Sequence, residues 1–248
     1  MLTFVIFLLG LLIGSFLNVC IYRLPQNKSI VAPPSHCTAC NTRLKPWDLI
    51  PVISYLLSRG HCRYCNAAFS SRYAFVELLT ASLFVWCLQV FGPSPELVKA
   101  LLFTSFFIVI TFIDYDHQLI LDKVLICLSI AGVVINLWIG SVNILDMLIA
   151  SLVGGGLLLI IALLTGGGMG GGDIKFAAAL GLCFGWKYLL LTLFLSFIFG
   201  GIGGVLLLAL KIKSRKDFIP FGPFIALAAL FTLLYGNNMI TWYMEKIS

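Results

Sequence analysis

Apolar residues run in long stretches along most of this chain, broken by short polar knots and by one extended polar segment. Eight runs stand out: 2–22, 74–91, 98–113, 124–140, 147–165, 174–186, 188–210 and 221–243. A helix of about 20 apolar residues crosses the hydrocarbon core of a bilayer. Lipid offers the backbone no hydrogen bonds, so each such run is expected to be helical. The pattern predicts an all-α polytopic membrane bundle of about eight spans. It divides the chain into a first span (1–22), a polar loop (23–73) and a membrane core of about seven spans (74–248). Pro25, Pro33, Pro34, Pro46 and Pro51 exclude a long helix from the loop. The glycine run 166–172 is the one low-complexity stretch, and no internal repeat is expected.

Composition agrees with that reading. Hydrophobic residues make up 60% of the chain and charged residues 10%, against about 25% charged in soluble domains. The net charge of +6 raises the question of a nucleic-acid partner, and the placement of the charge answers it. Arg23, Lys28, Arg43, Lys45, Arg59, Arg63 and Arg72 fall in the long loop, and Lys211, Lys213, Arg215 and Lys216 in a later one. With the N-terminus outside, thirteen of the 16 Lys and Arg residues lie inside, leaving Lys99, Lys187 and Lys246 outside. That is the asymmetry of a membrane protein with a cytoplasmic 23–73 loop. The partner implied is a lipid bilayer, and no nucleic acid is expected. The first 22 residues carry no charge, so they lack the basic start of a cleaved signal peptide and read as a retained span.

The loop holds Cys37-Thr38-Ala39-Cys40 and Cys62-Arg63-Tyr64-Cys65, two CxxC pairs separated by 21 residues. Zn²⁺ takes four thiolates at a tetrahedron's corners, and two short knuckles can supply them from a segment too small to build a core. The alternative is disulfides or free thiols, which a reducing compartment disfavours for the disulfides. Four thiolates leave no open coordination position, so a zinc ion here is expected to be structural. Cys20, Cys87, Cys127 and Cys183 fall in apolar runs and read as small core residues.

Only ten acids occur in the chain, which makes their positions informative. Asp114 and Asp116 follow the span 98–113, Asp122 precedes the next, and Asp173 closes the glycine run and opens another. On the topology above all four lie at inside helix ends. An ionisable group near hydrocarbon is a functional candidate, although a single Asp at a helix end is more often a cap. Two carboxylates brought together cannot both ionise easily; one keeps a proton and the pair can hold a water. One acid then serves as base toward the water and the other polarises a scissile carbonyl. Asp114 and Asp173, on different spans at one depth, meet that requirement. A phosphate-binding loop is the rival reading of the glycines, but an Asp ends the run and no Gly-Lys-Ser/Thr follows.

At these residues the chain resembles the bacterial type IV prepilin peptidases, membrane aspartic proteases with a Gly-x-Gly-Asp motif. The likeness is collinear over nearly the whole chain. It runs through Gly14-Ser15-Phe16-Leu17-Asn18, both CxxC pairs, Arg72-Tyr73, Glu77, Ile113-Asp114-Tyr115-Asp116, Gly170-Gly171-Gly172-Asp173-Ile174-Lys175 and Pro220-Phe221-Gly222-Pro223. The resemblance implies cleavage of the short basic leader from prepilins or pseudopilins of pilus, type II secretion or competence systems. It places the enzyme in the bacterial inner membrane with the cut on the cytoplasmic side. It maps the catalytic pair onto Asp114 and Asp173, with Asp116, Asp122, Gly170, Gly172 and Lys175 in support. It further implies N-methylation of the new N-terminus from S-adenosylmethionine, linked to the cysteine loop and to Gly60. Two departures stand out: Ile120-Leu121-Asp122 lacks a proline the family often has there, and the cysteine loop is the compact form. On the residues alone, a transporter with acid-lined broken helices and a zinc-anchored assembly factor also stay open.

Overall fold

A computed structural model describes residues 1–211 and 219–247. Lys213, Arg215, Lys216 and Asp217 of the second basic loop lie outside the described residues. The helices are α1 (Leu2–Arg23), α2 (Ile53–Leu57), α3 (Arg72–Phe91), α4 (Pro95–His117), α5 (Asp122–Ile139), α6 (Ile144–Leu164), α7 (Gly171–Ala209) and α8 (Gly222–Ile247). Seven of the described helices, all but α2, are long and apolar enough to cross a membrane. Among the described residues the only strand-like pairings are two isolated bridges, His36 with Arg43 and His61 with Ala68. The chain divides into two compact units, Met1–Leu97 and Val98–Ser248.

In the first unit α1 packs on α3 through glycines. A Cβ on Gly10 would lie 2.5 Å from Ala81 Cα, and one on Gly14 would lie 2.7 Å from Glu77 Cα. Without a hydrophobic force between helices in lipid, such close backbone approach supplies the packing. Asn18 tightens the pair by donating from Nδ2 to the Tyr73 carbonyl at 3.0 Å. The polar loop between them folds as two cysteine knuckles, a 3₁₀ turn (Pro46–Leu49) and the short α2.

The second unit accounts for the difference between eight expected spans and seven long helices. The helical stretch α7 contains a residue with φ 72 and ψ 174, Gly185. A Cβ on Gly154 of α6 would touch Leu189 Cδ2 at 2.8 Å and the Ala177 carbonyl at 2.9 Å. Twelve residues apart in a straight helix, those two would be separated by about 18 Å. The chain therefore doubles back at Gly185, and α7 is a helical hairpin made of the two spans expected at 174–186 and 188–210. The break leaves backbone groups without helical partners, and neighbouring helices satisfy them. Asp146 Oδ1 accepts the Trp186 amide at 3.2 Å. Buried Asn136 donates from Nδ2 to the Leu182 and Cys183 carbonyls, both at 3.0 Å. Lys99 Nζ in turn donates to Asn136 Oδ1 at 2.6 Å.

An aromatic cluster of Phe103, Phe107, Phe176 and Phe184 joins α4 to the first arm of the hairpin. Large apolar side chains elsewhere point outward, Leu152 and Leu163 of α6 being more than 70% exposed, as lipid-facing positions should be. Helix α4 runs on to His117, so Asp114 and Asp116 sit in its last turns rather than after its end.

Candidate active site

Each of the two aspartates is built into a helix terminus. Gly170 has φ −71 and ψ 143, which turns the chain into α7; its amide donates to Asp173 Oδ2 at 3.3 Å, forming half of a capping box. Asp114, in the last turns of α4, accepts at Oδ2 the amide of Gly222 at 3.0 Å. Gly222 is the first residue of α8, where amides have no partner within the helix. Both residues are almost fully buried, at 4% and 6% exposed. They line one groove of about 500 Å³, together with Gln118, Leu121, Gly170, Gly172 and Phe221.

The glycines keep that groove open. A Cβ on Gly172 would come 3.0 Å from Ile120 Cβ, and one on Gly222 would come 2.5 Å from Asp114 Oδ2. A Cβ on Gly171 would meet nothing within 4 Å beyond its own helix and chain neighbours, so the middle of the motif borders free space. Asp122 and Lys175 also line the groove, paired to each other at 2.8 and 2.9 Å. Both side chains are 60% exposed. Asp116 is exposed on α4 and is not among the groove residues. In the sequence Gly222 stands out only as part of Pro220-Phe221-Gly222-Pro223; its bond to Asp114 has no local signal.

The four loop cysteines converge. Their sulfur atoms all lie within 4.8 Å of one another, and Cys37 and Cys65 are 3.8 Å apart. Tetrahedral zinc with Zn–S bonds of about 2.3 Å sets its sulfurs about 3.8 Å apart, so the donor set fits. Each CxxC turn has the same construction. Asn41 donates to the Cys37 carbonyl at 2.8 Å, and Asn66 to the Cys62 carbonyl at 2.9 Å. Both asparagines have positive φ, 54 and 58, a conformation Asn tolerates better than most residues. His36 Nδ1 and His61 Nδ1 each lie near the carbonyl two residues upstream, at 3.0 and 2.8 Å. The expectation of no internal repeat is thus corrected: His-Cys-x-x-Cys-Asn occurs at 36–41 and at 61–66. The repeat is too short to register as a chain period, but its spacing was visible.

The thiols are unevenly poised. Hydrogen bonds at Thr42 pull Cys40 down to about 6, and the Tyr64 amide lowers Cys62. Although the Ala67 amide favours its thiolate, desolvation and the neighbouring sulfurs push Cys65 up to about 12. Four such sulfurs ionise together only around a cation.

Two buried aspartates facing one groove, in a bundle of helices long and apolar enough to cross a membrane, are the arrangement that an intramembrane aspartic hydrolase requires. Family models narrow that class: the bacterial peptidase A24 N-terminal domain matches residues 8–91, and the type IV leader peptidase family matches residues 101–205. The chain belongs to the type IV leader peptidase family. It is 37% identical to the prepilin leader peptidase/N-methyltransferase of Aeromonas salmonicida over 98% of this chain and 94% of that one. It is 36% identical to the protein of the same name from Legionella pneumophila, over 97% and 93%. With that of Bacillus subtilis it shares 34%, over 97% of both chains. No solved structure matches.

Proposed function

We infer that this multi-pass inner-membrane protein removes the leader peptide from type IV prepilins or pseudopilins, with Asp114 and Asp173 as its catalytic pair. The observation that carries the reading is the single groove holding two buried carboxylates from different helices. A water between them is activated by the ionised acid. The protonated acid hydrogen-bonds the scissile carbonyl, so negative charge developing on that oxygen is stabilised as water attacks. The proton that the ionised acid takes from the water then passes to the leaving amine as the carbon–nitrogen bond breaks. Low exposure strengthens each of these interactions.

The surrounding residues have supporting roles in this reading. Gly170 and Gly172 admit an extended substrate backbone beside Asp173. Lys175 and Asp122 frame the mouth of the groove, and Asp116 contributes charge at the same helix end. The Lys and Arg distribution supports an N-terminus outside and a groove facing the cytoplasm, where a basic leader resides. Zinc held by Cys37, Cys40, Cys62 and Cys65 is structural.

The relatives' names carry a second activity, N-methylation. In this reading the chain also methylates the new N-terminus, using S-adenosylmethionine, and Gly60 serves that step. The decisive experiment uses purified protein and a synthetic prepilin. Asp114→Asn and Asp173→Asn should each lower leader cleavage at least about 1,000-fold while the protein stays in the membrane. Normal processing by either variant removes the assignment.

A further inference from the structure

The first unit contains a cavity of about 540 Å³, lined only by residues between Ser15 and Glu77. That volume falls within the range of about 300–1,000 Å³ typical of small-molecule sites. Peptide hydrolysis at the aspartate pair makes no use of it.

Its wall chemistry is specific. Tyr22, Tyr55 and Tyr73 line it, and aromatic faces of this kind attract cations. Arg23, 8% exposed, also lines it. Two carboxylates stand among them: Asp48, engaged by Arg63 and by the Tyr64 hydroxyl, and Glu77, on the membrane-crossing α3 and only 7% exposed. A carboxylate at such a position is costly and marks a functional candidate. Its place is fixed from two sides. Gly14 of α1 sits so close to its Cα that no Cβ would fit. The Val52 amide donates to Glu77 Oε2 at 2.7 Å. Val52 has φ 62 and ψ −50, the centre of a γ-turn closed by the Ile53 amide on the Pro51 carbonyl at 2.6 Å, a strained conformation that a β-branched residue rarely adopts. Strain of that kind persists where surrounding structure holds it, and it gathers at working sites. Here the bond to Glu77 holds it.

We propose that Glu77 is the carboxylate that receives the α-amino group of the processed N-terminus in a methyl-transfer site formed by this cavity. The donor class is a nucleoside-bearing methylsulfonium, whose cation meets the tyrosines and whose own carboxylate meets Arg23. The inference rests on the reading that the chain methylates as well as cleaves. Glu77 takes one proton from the incoming ammonium. The freed nitrogen lone pair attacks the methyl carbon as the carbon–sulfur bond breaks. The bonding pair stays on sulfur, so the sulfonium becomes a neutral thioether and the nitrogen a methylammonium. Glu77 then returns its proton to water.

Gly60 acts through a neighbour. It has φ +72, and a Cβ there would lie 2.9 Å from the Tyr55 hydroxyl. Gly60→Ala therefore displaces Tyr55 from the cavity wall, which makes Gly60 a positioning residue.

The test uses the full chain in nanodiscs with a synthetic prepilin and S-adenosylmethionine, and mass spectrometry reads the cut and the added methyl separately. Glu77→Gln should cut like wild type, keep its zinc and bind S-adenosylhomocysteine, yet methylate at least about 100-fold more slowly. Gly60→Ala should raise the donor KM with the cut unchanged. Methylation by Glu77→Gln at the wild-type rate overturns the proposal and leaves the two-activity reading standing. A wild-type chain that cuts but never methylates overturns that reading and the proposal with it. If Glu77→Gln loses its zinc and so its fold, Gly60→Ala decides: an unchanged donor KM overturns the site.

Discussion

Gly222 donates its amide to Asp114 across 108 positions of sequence, at 3.0 Å in a buried setting. The start of α8 thereby orients a carboxylate at the end of α4. A methyl group at Gly222 would lie 2.5 Å from Asp114 Oδ2 and 3.1 Å from Ile120 Cδ1, so the acid or the helix start has to shift. Misplacing a reacting group by about 1 Å costs about 100-fold in rate. Gly222→Ala should lower leader cleavage about 10- to 100-fold with membrane insertion intact. Gly171→Ala, whose Cβ meets no atom within 4 Å, should stay close to wild type. Cleavage time courses of the two variants side by side provide the check.

The hairpin in α7 offers a test of stability in the same unit. Gly185 has φ 72, and a Cβ on it would run into the Asp146 carboxylate that caps the Trp186 amide. Gly185→Ala should cost about 1–3 kcal/mol from backbone conformation, with the clash added. Asp146→Ala leaves the turn its glycine and removes only the cap, for about 1 kcal/mol. Thermal unfolding in detergent should rank wild type above Asp146→Ala, and that above Gly185→Ala. The reverse order of the two variants would show that the cap, not the glycine, makes the turn.

Most of this fold was legible because lipid leaves few options. The run 2–22 became Leu2–Arg23, 74–91 became Arg72–Phe91, and 147–165 became Ile144–Leu164. The helices overrun their apolar stretches at polar ends, as with Asp114 to His117, because hydropathy ends at the hydrocarbon edge while helical hydrogen bonding continues. The acid pair was legible in part: an Asp at each of two helix ends is a local signal, but their shared groove is a tertiary fact. The Gly222 bond was not legible, since nothing near Asp114 in sequence points to a helix beginning a hundred residues on. Glu77 did have a signal, an acid inside an apolar run, which hydropathy averaged away.

The Asp122–Lys175 pair tests whether charge at the groove mouth is structural. Both side chains are 60% exposed, so the pair should contribute only about 0–1 kcal/mol to stability. Asp122→Asn, Lys175→Gln and the double variant should unfold within a few degrees of wild type. If the pair steers a basic leader, Asp122→Asn should raise the prepilin KM and weaken its salt dependence, with kcat nearly unchanged. A loss of kcat as large as that of Asp173→Asn would instead move Asp122 into the catalytic pair.

Zinc provides the last prediction, because the loop and the aspartate groove belong to separate compact units. Removing the metal leaves four thiols that cannot all stay ionised side by side. The loop, which has no apolar core of its own, should then lose its fold. Cys37→Ser combined with Cys62→Ser should abolish zinc content, raise protease sensitivity between residues 35 and 70 about 10-fold and stop methylation. Cleavage should survive in part, since Asp114, Asp173 and their helix-start amides all come from the second unit. Acid should act like a chelator. Each thiolate bound to zinc takes up a proton on release, so affinity falls as pH falls, and the metal should leave on the acid side. Zinc content, loop proteolysis and the two product masses, followed together down a pH series, should show methylation disappearing with the metal while the cut persists. A cut lost in step with zinc would mean that the loop is needed for hydrolysis as well.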